Sequence, residues 1–205
     1  MIELFIDTST SISTIALLKD YKVINKKNIN SNNDLSNNIF KYINDLFSDV
    51  NVEPLDVTKI YVGYGPGSFT GVRIGLTIAK TYAYTLNIKL VPISSLQILA
   101  STIEEDEIVS LIDARRGYVF AGVYDKELNS IIDDCYIDLN YLKEKYPSAK
   151  YISPDKFDFE VTFPQINIER IVNKYKSEDG SLPSDVNPKY LKQTEAEERL
   201  NCDRN

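Results

Sequence analysis

The sequence predicts an α/β protein of two related lobes, the second shortened, and three observations carry that prediction. A run of apolar residues ends in Ile-Asp twice, at Ile6-Asp7 and at Ile112-Asp113. Each run is followed by two more strand-like segments and then by a helical pattern. An acidic stretch, Glu104-Glu105-Asp106-Glu107, separates the two copies.

Residues 2–7 read as a buried strand, Thr14–Leu18 as a second, and Lys19-Asp20-Tyr21 turns the chain into a third over about 22–28. Short strands joined by short polar turns predict an antiparallel meander. An Asn-rich stretch, 28–38, reads as solvated loop and helix cap. The helix after it carries Leu35, Ile39, Tyr42, Ile43, Leu46 and Phe47 at helical spacing. Ile60-Tyr61-Val62 is a fourth strand, stopped by Gly63-Tyr64-Gly65-Pro66-Gly67, and a long helix follows to about Asn87. Leu90-Val91-Pro92 is a short strand, and Ser94 or Ser95 caps a helix through Ala100. The second copy has strands at 108–113, Tyr118–Tyr124 and Ser130–Ile137, then a short helix over Leu139–Tyr146. The expected domains are therefore 1–103 and 104–205, meeting near 102–107.

Composition excludes several classes of function. The chain of 205 residues contains no histidine, which removes histidine metal sites, Ser-His-Asp triads and imidazole acid–base chemistry. Cys135 and Cys202 are too few for a disulfide framework or a cysteine metal site. A net charge of −7, with lysines dispersed among acids, argues against the protein holding RNA alone. The N-terminus lacks the basic region and cleavage site of a signal peptide, and no apolar run is long enough for a membrane span. The expected location is the cytoplasm.

The most informative segment runs from Gly65 to Lys80, GPGSFTGVRIGLTIAK. It is neither a Walker loop nor the Gly-x-Gly-x-x-Gly fingerprint, because Thr70 stands where the third glycine belongs. Its glycines read as tight turns and close packing. In the helix, Gly71, Gly75, Ala79 and Ala83 recur every four residues, a stripe that a second backbone can approach closely. Ile74, Ile78, Tyr82, Leu86, Val72 and Leu76 surround it, so the apolar arc covers more than half the circumference. A helix lying on one sheet needs a stripe of only about 100°, and the excess calls for a second cover. That cover is either the other lobe or a partner subunit.

The Gly65–Lys80 segment resembles the signature of the TsaB (YeaZ) family of bacterial tRNA threonylcarbamoyladenosine biosynthesis proteins. Ile6-Asp7-Thr8-Ser9 is similar to the family's opening motif, and Ile112-Asp113-Ala114-Arg115-Arg116-Gly117 with Val119 to its second hairpin. Pro188-Lys189-Tyr190-Leu191-Lys192 and Ala196-Glu197 resemble its closing segment. The chain departs from the family in lacking a His-Ser pair before the first helix and in carrying Lys192 where arginine is usual. The resemblance implies an actin-like ATPase (ASKHA) fold of two ribonuclease-H-like lobes with mixed sheets. It also implies a scaffold role without catalysis: binding to the paralogous catalytic subunit TsaD and the ATPase TsaE, with tRNA reached only through the complex, and a possible homodimer.

On that footing the expected interface comprises Gly67, Phe69, Gly71, Arg73, Ile74, Gly75, Ile78, Ala79 and Tyr82, with Arg73 placed to anchor a carboxylate. Asp7, Thr8, Ser9 and Asp113 stand where nucleotide-binding actin-like proteins hold phosphate and magnesium. Ala114-Arg115-Arg116 replaces the small phosphate turn of the second lobe, so these residues are expected to be vestigial. No intrinsic cofactor is expected, and ATP or ADP with Mg²⁺ is admitted only at a subunit junction. A kinase-like enzyme and a self-associating protein of another role are the alternatives. A metallopeptidase fails for want of histidine.

Overall fold

A computed structural model describes residues 1–30 and 35–192. The middle of the Asn-rich stretch, the Ala196-Glu197 motif, the charged tail and Cys202 lie outside the described residues.

Strands β1 (Ile2–Asp7), β2 (Ile12–Lys19) and β3 (Lys22–Asn30) form the predicted meander. Helix α1 (Leu35–Ser48) leads to β4 (Val57–Gly63), which pairs parallel to β1. Helix α2 (Phe69–Leu86) and β5 (Leu90–Ile93) complete a five-stranded sheet in the order β3-β2-β1-β4-β5. Both faces of this sheet are covered, so β1 reads as a continuous apolar run rather than an alternating one. Leu4, Ile6, Ile15, Leu17, Ile60 and Val62 face α1 and α2. Phe5, Ala16, Leu18 and Tyr61 face the other way, toward α3 (Ser95–Ala100), whose six residues are all buried.

The second sheet contains β6 (Ile108–Asp113), β7 (Tyr118–Tyr124), β8 (Ser130–Asp138) and β9 (Lys150–Ile152) in the order β8-β7-β6-β9. Strand β6 is antiparallel to β7 and parallel to β9, as β1 is to β2 and β4. The internal repeat is thus one topology used twice, with β5 reduced in the second copy to a single parallel bridge between Ile152 of β9 and Thr162. Helix α4 (Leu139–Lys145) contributes Leu142 to a small core with Val109, Leu111 and Val119.

The chain then returns to the first sheet. Helix α5 (Ile168–Lys174) buries Ile168, Ile171 and Val172 in the core that holds Phe5, Tyr61 and α3. Lys59 donates to the carbonyls of Lys176 and Glu178, at 3.1 and 2.7 Å. Ser181 pairs with Leu90 through reciprocal backbone bonds of 3.0 and 2.7 Å, covering the edge of β5. The α3–α5 layer joins the two sheets in one apolar core that draws residues from both.

Candidate functional site

The loop between β1 and β2 meets the N-terminus of α2. Asp7 is fully buried: its Oδ1 accepts the Ser9 N–H at 3.1 Å, and its Oδ2 has no hydrogen-bond partner. Burial in this apolar setting pushes its carboxyl up to about 6, against the bonds from Ser9 that favour the charged form. The Thr8 hydroxyl donates to the Gly71 carbonyl at 2.6 Å, and the Ser68 N–H donates to the Ser9 carbonyl at 2.7 Å. The Ser68 side chain caps α2 by accepting the Gly71 N–H. Two of the donors at this helix start, the Ser68 and Gly71 N–H groups, are therefore used within the chain.

The glycines make that closure possible. A Cβ on Gly71 would lie 2.1 Å from the Thr8 carbonyl oxygen, and one on Gly75 would lie 2.4 Å from the Thr8 hydroxyl. On Gly67, a Cβ would lie 2.2 Å from the Ser9 carbonyl. Ala79 and Ala83 are fully buried in the first lobe's own core. This corrects the interface expectation for Gly71, Gly75 and Ala79, because the small stripe is where α2 approaches β1 and its loop. Gly67 likewise serves that approach. The periodicity located the stripe but carried no information on which backbone fills it.

The other predicted interface residues divide. Phe69, Arg73, Ile74 and Ile78 line an apolar groove of about 440 Å³ between α1 and α2, together with Ile39, Phe40 and Thr77. Tyr82 lies further along, half-buried, with its ring parallel to that of Phe47 on α1 at 6.3 Å. So α1 is part of the second cover that the wide apolar arc demanded, and the groove is what α1 leaves open. Phe40, 63% exposed, was missed by sequence reasoning. Its signal was an aromatic one residue beyond Ile39, off the buried stripe of α1.

Arg73 does not extend free into solvent. Its guanidinium lies 3.7 Å from the centroid of the Phe69 ring, and its Nε donates to the Tyr190 hydroxyl at 2.7 Å. Tyr190 in turn stacks on Phe69 at 5.5 Å. One residue earlier, the Lys189 N–H donates to the Tyr64 carbonyl at 2.8 Å, and a Cβ on Gly65 would lie 2.9 Å from the Lys189 carbonyl. The Lys189 ammonium reaches the Asp134 carboxylate of β8 at 2.8 Å. Asp134 also accepts from the Ser94 hydroxyl at 2.5 Å and from the Tyr124 hydroxyl. The closing segment thereby fastens the glycine turn, α2 and the second sheet together.

Asp113 stands in a different setting from Asp7. It is exposed; its N–H donates to Asp155 at 2.8 Å, and its carboxylate accepts the Arg115 N–H at 2.8 Å. Asp7 is thus a buried carboxylate beside the start of α2, and Asp113 an exposed one capping a hairpin. Among the described residues, no group of three or more acidic or cysteine side chains is placed to hold a metal ion.

Comparison with known proteins gives this architecture a family. Residues 28–179 match the family model described as TsaD, tRNA N6-adenosine threonylcarbamoyltransferase. The tRNA threonylcarbamoyladenosine biosynthesis protein TsaB of Bacillus subtilis is 38% identical over 141 residues, which are 68% of this chain and 61% of that protein. Its namesake in Escherichia coli is 30% identical over 137 residues, 62% of this chain and 57% of that one. The matches thus span about three fifths of the length of these relatives. YeaZ from Pseudomonas aeruginosa superposes with a TM-score of 0.79 at 21% identity, covering 93% of this chain and 99% of that one, so the two share the actin-like fold. With well over half its length matched, the chain belongs to the TsaD family of tRNA threonylcarbamoyladenosine proteins, and its similarity within that family runs to TsaB.

Proposed function

We infer that this chain is a non-catalytic accessory subunit of the assembly that transfers a threonylcarbamoyl group to the adenosine next to the tRNA anticodon. One observation carries the reading: α2 is packed shut on its inner side and lines an open apolar groove on its outer side. A helix arranged in this way offers a surface to another protein rather than a cradle to a nucleotide. The partner is the paralogous catalytic subunit TsaD, with the TsaE ATPase completing the assembly and tRNA held by the complex. The chain carries no nucleotide of its own, and ATP or ADP with Mg²⁺ enters at a junction with another subunit. No helix among the described residues is long and apolar enough to cross a membrane, which accords with work in the cytoplasm.

Reconstitution of tRNA modification, leaving out each component in turn, tests the proposal. The expected result is modification only when this chain and TsaD are both present, and none from this chain alone. ATP turnover by the pure chain that Asp7→Ala abolishes would establish the kinase-like alternative instead. Self-association is the second reading, since the same groove can receive a second copy. Sedimentation of wild type and Phe40→Asp, with and without TsaD, separates it from the first.

A further inference from the structure

Strand β3 lies at the edge of the first sheet, and among the described residues no strand pairs with its outer side. That side is only partly closed. The Val23 N–H donates to Glu169 Oε1 of α5 at 3.1 Å, and the Lys26 N–H turns back to the Asn25 side-chain oxygen at 2.9 Å. Neither group belongs to the ladder with β2, so Lys26 turns its main chain outward. Backbone direction alternates along a strand, and Asn28, two residues on, does the same. The Lys26 carbonyl and both main-chain groups of Asn28 thus face away from β2, with no backbone partner among the described residues.

These groups border a slot of about 1420 Å³ whose other wall is the stretch 163–167. Lys26 and Asn28 line one side, Phe163 and Ile166 the other, and Glu169 closes the end beside Val23. The far wall is fixed from behind, because the Gln165 and Asn167 N–H groups donate to the Thr102 and Ser101 hydroxyls at 3.2 and 3.1 Å. Phe163 remains 61% exposed. A slot of this size exceeds a small-molecule pocket, and main-chain donors and acceptors along a strand edge are matched by another main chain. The charged side chains select among strands. Glu169 is paired with Lys22 at 2.7 Å, while Lys26 and Lys156 are in no ion pair among the described residues. Three lysines therefore stand against one carboxylate in and beside the slot; Asp155, which accepts the Asp113 N–H, lies outside its lining. Lysines along an edge repel a second copy of the same strand and admit one that carries an acid.

We propose that β3 is a docking edge for an extended segment of another protein, which adds to the first sheet as a further strand in this slot. The segment sets an acidic side chain beside Lys26 and an apolar one against Phe163. The docking edge uses no part of the α1–α2 groove, so the two proposals fail separately.

The test is selection of displayed peptides of about six residues, the usual strand length, on the full chain. The expected peptides alternate apolar and polar residues and carry an acid. In the tightest one, remade synthetically, N-methylation of every second amide lowers affinity roughly tenfold, and the amides between tolerate it. This scan is made on the wild-type chain, so it holds even where a variant fails to fold. Asn28→Pro removes the outward N–H, which an edge strand tolerates, and lowers affinity by a similar factor. It also loses the bond from the Thr14 hydroxyl to the Asn28 side chain, so Asn28→Ala, which loses only that bond, is the control and keeps the affinity. Lys26→Glu weakens binding roughly three- to tenfold and leaves the melting temperature in place, since Lys26 is exposed. Phe40→Asp binds the peptide as wild type does. Recovery of no such peptide overturns the proposal, as does a peptide indifferent to N-methylation or held equally by Asn28→Pro. Loss of binding in Phe40→Asp overturns it too, and moves the site to the groove. A wild-type chain that sediments as a dimer, dissolved by Asn28→Pro, assigns the edge to a second copy instead.

Discussion

The Lys189 ammonium and the Asp134 carboxylate meet at 2.8 Å, with Asp134 only 2% exposed and Lys189 28% exposed. Two hydroxyls, from Ser94 and Tyr124, complete the shell of the carboxylate. The pair links the closing segment to β8 across the two halves of the repeat.

Removing one partner strands a buried charge, so Lys189→Met costs more than an exposed ion pair is worth. Because Lys189 itself is partly exposed, the expected loss is about 1–3 kcal/mol rather than the larger cost of a fully buried pair. A chain of this size then melts roughly 2–10 °C lower. The double variant Lys189→Met with Asp134→Asn should recover part of the loss. Additive losses in the two single variants, measured by thermal melting, would show that the two residues act independently.

Gly71→Ala places a methyl group 2.1 Å from the Thr8 carbonyl oxygen, a backbone atom that cannot yield cheaply. We expect a stability loss of at least about 1–3 kcal/mol, the range for overpacked sites. Ala79→Leu, at a fully buried position, should behave the same way. Denaturant titration checks both: unchanged midpoints would return the stripe to the surface.

Phe40→Asp acts on the exposed side of α1. Stability should change by no more than about 0.5 kcal/mol, as at other surface positions. Association through the groove should weaken by more than about tenfold, because a charge enters an apolar contact. Calorimetric titration against TsaD reads the second effect on the same preparation that gives the first.

Burial lifts the Asp7 carboxyl from 3.8 to about 6, so the folded chain holds this proton more tightly than the unfolded chain does. The contribution of Asp7 to stability is complete below about pH 4 and is lost as pH rises through 6. Asp7→Asn keeps an acceptor for the Ser9 N–H and removes the titration. Relative to wild type, the variant should gain roughly 2 kcal/mol between pH 4 and pH 7.5, most of the free energy equivalent to that displacement. Parallel stability curves across that range would mean that Asp7 is solvated in solution.

Much of the fold was legible because local patterns and global packing agree in it. The meander of β1–β3, the long α2 reaching Asn87, and the second Ile-Asp strand all follow from apolar runs and turns. Strand β9 and α5 lie outside the repeated pattern, and their placement depends on partners far away in sequence. The site was legible in identity but not in orientation. Gly71, Gly75 and Ala79 were found by spacing, yet spacing is blind to whether Thr8 or another protein fills the stripe. Phe69 and Arg73 contact Tyr190, which joins residues more than a hundred positions apart, and no local pattern encodes that.

The edge of β5 bears on how the chain is made. Leu90 offers its N–H and carbonyl outward, and Ser181 satisfies both. During synthesis the first sheet can therefore assemble long before its last strand is sealed. Until residue 181 emerges, a nascent chain presents an unpaired strand edge, the kind of surface that recruits other strands. Translation that stalls between the two halves should leave a folded but adhesive intermediate, prone to pairing with its neighbours on the same message.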